Sequence, residues 1–292
     1  MRIINFGSLN LDHVYRVNRF VKPGETMATT EYQQFVGGKG LNQSVALARA
    51  GAAVTHAGCI GHDGALLKST LADNGVDVGS VYQVEAASGH AVIQVDDNGE
   101  NCILLHGGAN QCVTPDMIDE VLGRARPGDI LLLQNEINGV AAMMARAAQQ
   151  QLVIAFNPAP MSDEVLRYPL ELVDYLIINQ SEATALTGCE ETPEILAYLR
   201  DRFSHCKIIL TLGAEGVIYQ DGQQQLAVAG ETVDVVDTTA AGDTFIGYFL
   251  AELSRGSDPQ SSLRVACRAA ALAVGRRGAA ESIPRRGELA AL

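Results

Sequence analysis

The sequence predicts an α/β protein in which helices cover both faces of a mainly parallel β-sheet, with a small second sheet inserted near the beginning. Strand-like and helix-like segments alternate along most of the chain, the pattern of a three-layer α/β/α arrangement. Continuous apolar runs are typical of strands buried on both faces, as in parallel sheets. The chain has four such runs, at residues 130–133, 152–156, 175–178 and 208–210. The predicted covering helices span residues 140–150, 181–187, 193–203, 243–255 and 259–275.

The first predicted element is a short apolar strand at residues 2–7, which ends in a glycine. Two stretches with alternating polar and apolar residues follow, at 14–21 and 27–36, and the turn Pro23-Gly24-Glu25 separates them. Alternation is typical of strands with one exposed face. We therefore expect an antiparallel pair in a small sheet inserted after the first core strand.

The next elements belong to the main sheet and its covering helices. An Ala-rich helix is predicted at 44–50, a strand at 53–59 and a helix at 65–74. A further helix begins at Pro115, because proline is favoured in the first turn.

A second hairpin is predicted between these helices. Its arms are residues 91–95 and 102–105, and they flank Asn98-Gly99, a strong two-residue turn signal. We assign it to the same small antiparallel sheet, which would then be formed by two separate segments, about 9–36 and 88–107.

Composition limits the domain organisation and the partners. With 292 residues, 47% of them hydrophobic, residues 1–292 are expected to form a single domain with a sizeable core. The formal net charge of −13 argues against nucleic-acid binding, which requires basic stripes. No apolar run approaches the roughly 20 residues that span a bilayer. The six cysteines are scattered without C-x-x-C spacing, which is typical of reduced thiols. We expect a cytoplasmic protein with no membrane or nucleic-acid partner.

The stretch from Val235 to Phe245 predicts the centre of a phosphoryl-transfer site. A β-branched approach at 232–236, a strand or extended arm, leads through a Thr-rich turn into an apolar helix. The small residues Ala240, Ala241 and Gly242 leave the N–H groups of the helix N-terminus open to an anion. Asp243 follows in the first helical turn. A carboxylate beside a bound anion makes sense if it removes a proton from a hydroxyl that attacks the anion.

Two motifs in the first 45 residues point to a polar ligand. Gly37-Gly38-Lys39-Gly40 lacks the spacing of a Walker loop, and it is either a turn or a site of close backbone approach to a ligand. Asn10 and Asp12 alternate with apolar neighbours and therefore face the same side of their strand. They are either a solvated edge or a site for vicinal hydroxyls of a sugar.

Polar residues also follow several of the apolar strands directly. These are Asn135 and Glu136, Asn157, Asn179, and then Thr211 and Gly213. Carboxyl ends of parallel strands are where such sheets bind ligands, so we expect a shared cleft. Asn179-x-x-Glu182 is either a helix-capping box or an indirect magnesium or phosphate site. Residues 211–216 form either a hairpin turn or a loop around phosphates or a nucleoside.

Taken together, these motifs resemble the ribokinase family of carbohydrate kinases from Gly7 to Pro284. Gly-Ser-x-Asn-x-Asp-His at 7–13 resembles the family's sugar-binding start. Residues 37–43 resemble its first signature and residues 237–245 its second. Residues 276–284 resemble the segment that helps to hold a monovalent cation. The resemblance implies a three-layer ribokinase-like fold, with the small sheet acting as a lid over the sugar and pairing subunits into a homodimer.

The resemblance also implies a role for individual residues. Those that would hold the pentose are Asn10, Asp12, Gly38, Lys39, Asn42 and Glu136. Asp243 would be the general base, and the anion hole would consist of Ala240, Ala241 and Gly242 together with Asp243. The nucleotide would contact Asn179, Thr211, Gly213, Gly216 and Gly242. Glu182 would serve magnesium indirectly. Potassium would be coordinated by Asp237, Thr239, Ala273, Arg276, Gly278 and Ser282.

The resemblance implies an ATP-dependent kinase that phosphorylates the 5-hydroxyl of D-ribose, with Mg²⁺ and K⁺ as cofactors. Three positions depart from the family pattern. Leu41 is bulkier than the usual alanine, Ala240 replaces the glycine of the broader family, and Cys267 stands where a polar residue near adenine is common. The alternatives are a kinase of the same fold acting on deoxyribose, fructose or a nucleoside, and a non-catalytic sugar sensor.

Overall fold

The computed structural model describes residues 1–290 and confirms the predicted α/β class, with a large, mostly parallel sheet and a separate small sheet. The strands are β1 (Ile3–Phe6), β2 (Asn10–Arg16), β3 (Glu31–Gly37), β4 (Val54–Ile60), β5 (Asp77–Gln83), β6 (Gly89–Val95), β7 (Asn101–His106), β8 (Ile130–Gln134), β9 (Val153–Asn157), β10 (Tyr175–Asn179), β11 (Lys207–Thr211), β12 (Val217–Gln220) and β13 (Gln225–Val228).

The α-helices lie between these strands and form the two outer layers. They are α1 (Lys39–Arg49), α2 (Ala65–Asp73), α3 (Pro115–Leu122), α4 (Val140–Gln149), α5 (Gln180–Thr187), α6 (Thr192–Arg202), α7 (Ala241–Ser254) and α8 (Pro259–Val274). Short 3₁₀ turns occur at Gly108–Gln111, Val165–Arg167, Leu170–Leu172, Gly213–Glu215 and Arg286–Ala290. Among the residues described, no helix is both long enough and apolar enough to cross a bilayer.

The large sheet has a separate hydrophobic core on each of its two faces, and each core contains the helices that cover that face. One core joins alternate strand residues such as Ile3 and Leu132 to helices α1, α2, α7 and α8. The other joins the intervening residues, such as Ile4 and Leu133, to helices α3 to α6. Because both faces are buried, strands β8 to β11 form unbroken apolar runs up to their polar ends, whereas β1 and β4 include the buried polar residues Asn5 and His56.

The large sheet has the order β13-β12-β11-β10-β9-β8-β1-β4-β5. Its pairs are parallel except β11–β12 and β12–β13, which form an antiparallel edge. The chain leaves β1 toward β4 and β5, and later continues on the opposite side through β8 and β9. The point where the strand order reverses is therefore between β1 and β8, and such switch points create ligand crevices at the carboxyl ends of the strands.

The small sheet has the order β3-β2-β6-β7 and differs in one respect from the predicted antiparallel sheet. β2–β3 and β6–β7 are antiparallel hairpins, but β2 and β6 pair in parallel, with Asn10 opposite Gly89. Both strands leave the main sheet in the same direction, and this common origin makes their pairing parallel.

Other differences concern segments with weak patterns. Strand β5 was not predicted, because its sequence Asp-Val-Gly-Ser mixes turn formers with apolar residues. The hairpin β12–β13 is short and lies at a sheet edge, where half-exposed strands lack long apolar runs. Helix α1 begins at Lys39 rather than at 44, and residues 232–236 form no strand.

Candidate active site

The site begins with two helices that pack unusually closely, α1 and α7. A Cβ atom on Gly247 of α7 would lie 2.3 Å from Cβ of Ala46 and 2.8 Å from the backbone nitrogen of Leu47 in α1. At the other end of α1, a Cβ on Gly40 would lie 2.4 Å from the backbone nitrogen of Ser8. Both contacts require glycine. They bring the N-terminal turns of the two helices together, next to the end of β1.

Asp243 lies at this junction and is 8% exposed. Its Oδ2 accepts a hydrogen bond from Nδ2 of Asn42 at 3.0 Å, and its Oδ1 accepts one from Nε2 of Gln43 at 2.9 Å. The first turn of α7 is thus tied to the first turn of α1. The first signature motif and the second therefore meet in a single site.

The turn before Asp243 exposes the N-terminus of α7. Ala240 has a left-handed backbone with φ 58°, and the Ala241 N–H bonds to the carbonyl of Thr238 at 3.2 Å. A Cβ atom on Gly242 would meet nothing within 4 Å, so this face of the turn opens to space. First-turn N–H groups have no intrahelical acceptor, and they attract an anion. The open N-terminus of α7 is the place where the sequence predicts an anion site at 240–243, and the anion site stays a prediction.

Two further predicted residues, Lys39 and Glu136, cluster beside Asp243, and Asp12 lies close to Glu136. Oε2 of Glu136 accepts from the Lys39 backbone N–H at 3.0 Å and from the Ser8 hydroxyl. Burial raises the pKa of the Glu136 carboxyl, although the Ser8 hydrogen bond and Lys39 oppose the shift. Burial, with repulsion from Glu136 and then Glu281, raises the pKa of Asp12 to about 6.

Lys39 is the cation of this cluster. Burial alone would lower the pKa of its ammonium group. Three nearby carboxylates oppose that effect and leave the pKa raised, namely those of Asp243, Glu136 and Glu182. The ammonium therefore remains charged in a largely acidic environment.

Asn10 lies at the start of β2 and is held by a residue that the sequence analysis missed. Nδ2 of Asn110 donates to Oδ1 of Asn10 at 2.7 Å, and Oδ1 of Asn110 accepts from the Leu9 N–H at 3.0 Å. Gly38 and Gly37 approach from β3. A Cβ on Gly37 would lie 2.2 Å from Oδ2 of Asp12, so glycine makes room for that carboxylate.

A cavity of about 250 Å³ extends from Asp243 along the carboxyl ends of β9, β10 and β11. The polar and small residues that line it are Lys39, Asn157, Asn179, Glu182, Thr211, Thr238, Ala240, Gly242 and Asp243. Asn135 does not take part, because its amide donates to the Pro160 carbonyl at 2.7 Å. Three of the polar strand ends thus share a cleft, and at the fourth only Glu136 reaches the site, through its bond to the Lys39 backbone.

Asn179 and Glu182 form the capping box that the sequence left as one of two alternatives. Oδ1 of Asn179 accepts from the Glu182 N–H at 2.8 Å, and Oε2 of Glu182 accepts from the Asn179 N–H at 3.0 Å. Burial raises the pKa of the Glu182 carboxyl, although the hydrogen bond from the Asn179 backbone lowers it in part. Both residues also line the cavity, so capping does not remove them from it.

A second, more apolar cavity of about 460 Å³ adjoins the first. Thr211, Gly213, Gly216, Gly242 and Cys267 are part of its lining. Gly216 is required by backbone geometry, since its φ is 107° and a Cβ would lie 2.1 Å from the Val228 carbonyl. Burial raises the pKa of the Cys267 thiol to about 11, so the thiol is neutral.

Three of the residues predicted to bind potassium are linked by hydrogen bonds just before the 240–243 turn, namely Asp237, Thr239 and Gly278. Oδ1 of Asp237 accepts from Thr239 N and Oγ1 at 2.9 and 2.6 Å, and its Oδ2 accepts from Gly278 N at 3.0 Å. Despite partial burial, these hydrogen bonds lower the pKa of Asp237. The side chains of the two remaining polar members point elsewhere: Ser282 donates to the Ala279 carbonyl, and Arg276 pairs with Glu288.

Ala273, the last member of that set, is fully buried, and its carbonyl accepts from the Arg276 N–H at 2.9 Å. The oxygen atoms available at this place are those of the Asp237 carboxylate, the Thr239 hydroxyl and backbone carbonyls, which suit a hard cation. Within residues 1–290, no group of three His, Cys, Asp or Glu side chains has the arrangement of a metal centre.

Comparison with known proteins supplies the identity of the fold. The model of the pfkB family of carbohydrate kinases matches residues 2–286. Ribokinase from Haemophilus influenzae is 38% identical over 294 residues, which cover 97% of this chain and 95% of that protein.

Solved structures agree with this assignment. Ribokinase from Cryptococcus neoformans var. grubii serotype A, in complex with ADP, superposes with a TM-score of 0.89 at 33% identity, over 99% of both chains. Arabidopsis thaliana ribokinase, complexed with ribose and ATP, has a TM-score of 0.88 at 28% identity, over 99% of this chain and 97% of that one. This chain therefore belongs to the pfkB family of carbohydrate kinases, in its ribokinase branch, and is an ATP-dependent sugar kinase.

Proposed function

We propose that this chain transfers the γ-phosphoryl group of ATP to the 5-hydroxyl of D-ribose and releases D-ribose 5-phosphate and ADP. The observation that carries the proposal is the position of Asp243. It stands at the open N-terminus of α7, between the acidic cluster around Lys39 and the two cavities beside β10 and β11. A general base needs this position between an acceptor hydroxyl and an anion. The Arabidopsis ribokinase structure, with ribose and ATP, supports the same pair of substrates.

In this mechanism Asp243 takes the proton from the 5-hydroxyl as that oxygen attacks the γ-phosphorus. A new O–P bond forms, and the bond from the γ-phosphorus to the β,γ-bridging oxygen breaks, so that ADP leaves with the electron pair. Within the 240–243 turn, the N–H groups of Gly242 and Asp243 would face the charge on the transferred group, while the Ala241 N–H is held by the Thr238 carbonyl. Donors fixed in advance at such a place stabilise the transition state without reorganisation.

The sugar would be held by Asn10, Asp12, Gly38, Lys39, Asn42 and Glu136. Oε2 of Glu136 already fixes the Lys39 backbone, and Oδ1 of Asn10 is already taken by Asn110. The Nδ2 group of Asn10 is therefore the part of that amide that remains for a hydroxyl. A donor of this kind favours ribose over deoxyribose, because an unmatched polar group at the site would be left unpaired.

The nucleotide would lie along the second cavity, with Thr211, Gly213 and Gly216 beside it and Asn179 and Gly242 near its phosphates. Magnesium fits the charge of the site. Glu136, Glu182 and Asp243 lie near the Lys39 ammonium, and Asp12 lies near Glu136, so an incoming polyphosphate would enter an acidic environment. Mg²⁺ would neutralise phosphate charge there, and Glu182 and Asn179 would serve it through water.

Potassium fits the oxygen donors at Asp237, Thr239, Ala273, Arg276, Gly278 and Ser282, several of them as backbone carbonyls. When bound, K⁺ would add positive charge behind the 240–243 turn and hold its shape. Asp237 already fixes that turn through its hydrogen bonds to Thr239 and Gly278. The proposed cation would therefore act on turnover without contacting the sugar.

The small sheet, with the segments of about 9–36 and 88–107, would act as a lid within a single domain of residues 1–292. It carries Asn10 and Asp12 on β2, so closing it would bring sugar-binding groups to Asp243 and exclude water. We also propose that it pairs two subunits, because β7 presents exposed apolar residues.

Phosphate transfer with a panel of acceptors tests the proposal. ADP release would be measured with D-ribose, deoxyribose, fructose and a nucleoside, each with and without K⁺, at constant Mg²⁺. We expect kcat/KM to be highest for ribose and to rise with K⁺. Faster turnover of another acceptor would assign the chain to that substrate, and no turnover with any acceptor would favour a sugar sensor. Matched Asp237→Asn protein, in which the response to K⁺ should be weaker, tests the cation site.

A further inference from the structure

A chain of buried side-chain amides runs from the end of β1 to Asp243. Asn5 and Gln134, at the ends of adjacent parallel strands, and Gln43, in α1, are all 0% exposed. Nε2 of Gln134 donates to Oδ1 of Asn5 at 2.9 Å and to Oε1 of Gln43 at 2.6 Å. Nε2 of Gln43 then donates to Oδ1 of Asp243 at 2.9 Å. We call these three residues the amide chain.

The direction of every amide in this chain is fixed by a backbone carbonyl. Nδ2 of Asn5 lies 2.8 Å from the Gly40 carbonyl, which can only accept. Oδ1 of Asn5 must therefore accept from Gln134, and Oε1 of Gln43 must accept as well. This leaves the Gln43 end that faces Asp243 as an N–H donor.

A second backbone carbonyl leads to the same orientation of the Gln43 amide. Nδ2 of Asn157 donates to the Ile177 carbonyl at 3.0 Å, so Oδ1 of Asn157 faces Gln43 as an acceptor at 3.4 Å. Both hydrogens of the Gln43 amide thus have acceptors, Asn157 and Asp243. Reversing this amide would place its oxygen against two other oxygens.

Gln134 is the member of the amide chain that leaves a buried polar atom without a hydrogen bond among the described residues. Both of its N–H hydrogens are used, while its own Oε1 is buried and has no hydrogen-bond partner in the part of the chain that the structure describes. Buried polar atoms are nearly always paired, and an exception calls for an explanation. The explanation here is that Gln134 orients Gln43.

We infer that Gln43 is a positioning residue for Asp243, and that Gln134 and Asn5 act on Asp243 only through it. The inference rests on the base role proposed above. Gln43 holds Oδ1, and Oδ2 contacts Asn42, which is on the proposed sugar side. Oδ2 is therefore the oxygen directed at the acceptor hydroxyl, while the Gln43 donor holds Oδ1 in place.

The first test is Gln43→Met, which keeps the length of the side chain and removes the donor. With whichever sugar supports turnover, kcat should fall by roughly 10–100-fold, the range for loss of a hydrogen bond to a charged group. KM for the sugar and for ATP should stay within about threefold, because Gln43 contacts neither cavity. A kcat within threefold of the parent, or a change confined to KM, would overturn the inference.

A double-mutant cycle separates positioning from simple loss of packing. Gln134→Met should lower kcat several-fold in the parent, but should change it by less than about twofold when Gln43→Met is already present. Equal factors in the two backgrounds would mean that Gln134 acts independently of Gln43, against the inference. The matched control is Gln220→Met. Gln220 is a buried glutamine of β12 that donates to the Leu196 carbonyl, and its replacement should not change kcat.

Gln43→Glu supplies a readout that does not depend on packing and serves if Gln43→Met fails to fold. Its carboxylate would share a proton with Asp243, so the acid limb of the pH–kcat profile should move up by about one unit or more. An unmoved limb would count against the inference. Asp243→Asn separates the base role of Asp243 from the positioning role of Gln43. If that variant turns over normally, the base role fails. If it is inactive while Gln43→Met is not, only the positioning role fails.

Discussion

Asp243 is the residue on which the proposed chemistry depends most directly. Asp243→Asn keeps the shape of the side chain but removes the basic oxygen, and its amide can accept from only one of the two α1 donors, Asn42 and Gln43. We expect kcat to fall by about 10²–10⁴-fold, the usual contribution of a general base, while the protein remains folded. Steady-state kinetics and a melting curve would check this.

The control for that variant is Asp73→Asn, the same change at an exposed position near the end of α2. It should leave turnover unchanged. If Asp243→Asn and Asp73→Asn had similar kcat values, Asp243 would not be the base.

Asp12 should reveal its environment through the pH dependence of stability. Burial first, then repulsion from Glu136 and Glu281, raises its pKa from the usual 3.8 to about 6 in the folded protein. The folded state therefore holds this proton more tightly than the unfolded chain does. Stability is lost as the pH rises from about 4 to about 6, and the full penalty remains above pH 6.

Asp12→Asn removes this penalty. In the absence of sugar, it should raise the Tm relative to the parent by more at pH 8 than at pH 4.5, as melting curves at both pH values would show. An equal shift at both pH values would contradict the electrostatic origin of the effect. Sugar binding should weaken in the same variant, because the amide cannot accept as strongly from hydroxyls.

The role of a single residue could be predicted from the sequence where the residue belongs to a short local motif. Asp243 follows a run of small residues at a helix start, and Asn179 precedes Glu182 at the spacing of a capping box. Gln134 and Asn110 had no such signal. Each acts by contacting a residue about 90 or more positions away, so its role depends on strand register and not on neighbouring sequence.

At the level of elements, the two glycines of α7 should respond in opposite ways to the same change. A Cβ on Gly242 meets no atom within 4 Å, whereas one on Gly247 meets Ala46 at 2.3 Å. Gly242→Ala should fold normally, yet its methyl group would occupy the anion site. We expect kcat to fall by roughly 10²-fold, similar to the loss of one donor in an anion hole.

Gly247→Ala should instead disturb the packing of α7 on α1. Forcing a methyl group into a filled interface costs about 1–3 kcal/mol. Melting curves and kinetics for the two variants would therefore show damage to activity in one and to stability in the other. A stable Gly247→Ala protein would show that the contact of α1 and α7 is looser than the structure has it.

Most elements could be predicted because each carries a local signal of burial. The runs at β8 to β11 are apolar at every position, and the helices begin at signals such as Pro115 and Asp258. Short edge strands such as β13 carry too few apolar residues to be recognised. The parallel pairing of β2 with β6 could not be predicted, since it depends on where both strands leave the main sheet.

For the whole molecule, strand order determines where the site lies. β1 is an interior strand from which the chain departs in two directions, so the crevice opens at the carboxyl ends of the paired strands β1 and β8. The ends of β9, β10 and β11 extend this crevice and form the first cavity. No local segment encodes this order. The sequence indicated a shared cleft only because polar residues follow several apolar strands.

The small sheet should also determine the oligomeric state. Ile103, Leu104 and Leu105 on its edge strand β7 are 53%, 68% and 57% exposed. An exposed apolar edge strand favours association unless another chain covers it. We expect the parent protein to sediment as a dimer and Leu104→Asp to sediment as a monomer, because an unpaired carboxylate would be buried in the pairing surface.

Leu166→Asp is the matched control, since Leu166 is 54% exposed but lies in the 3₁₀ turn at Val165–Arg167. If both variants sedimented like the parent, β7 would not be the contact. If only Leu104→Asp dissociated, β7 would be the contact. A higher KM for sugar in that variant would show that subunit pairing also helps the small sheet to hold the sugar.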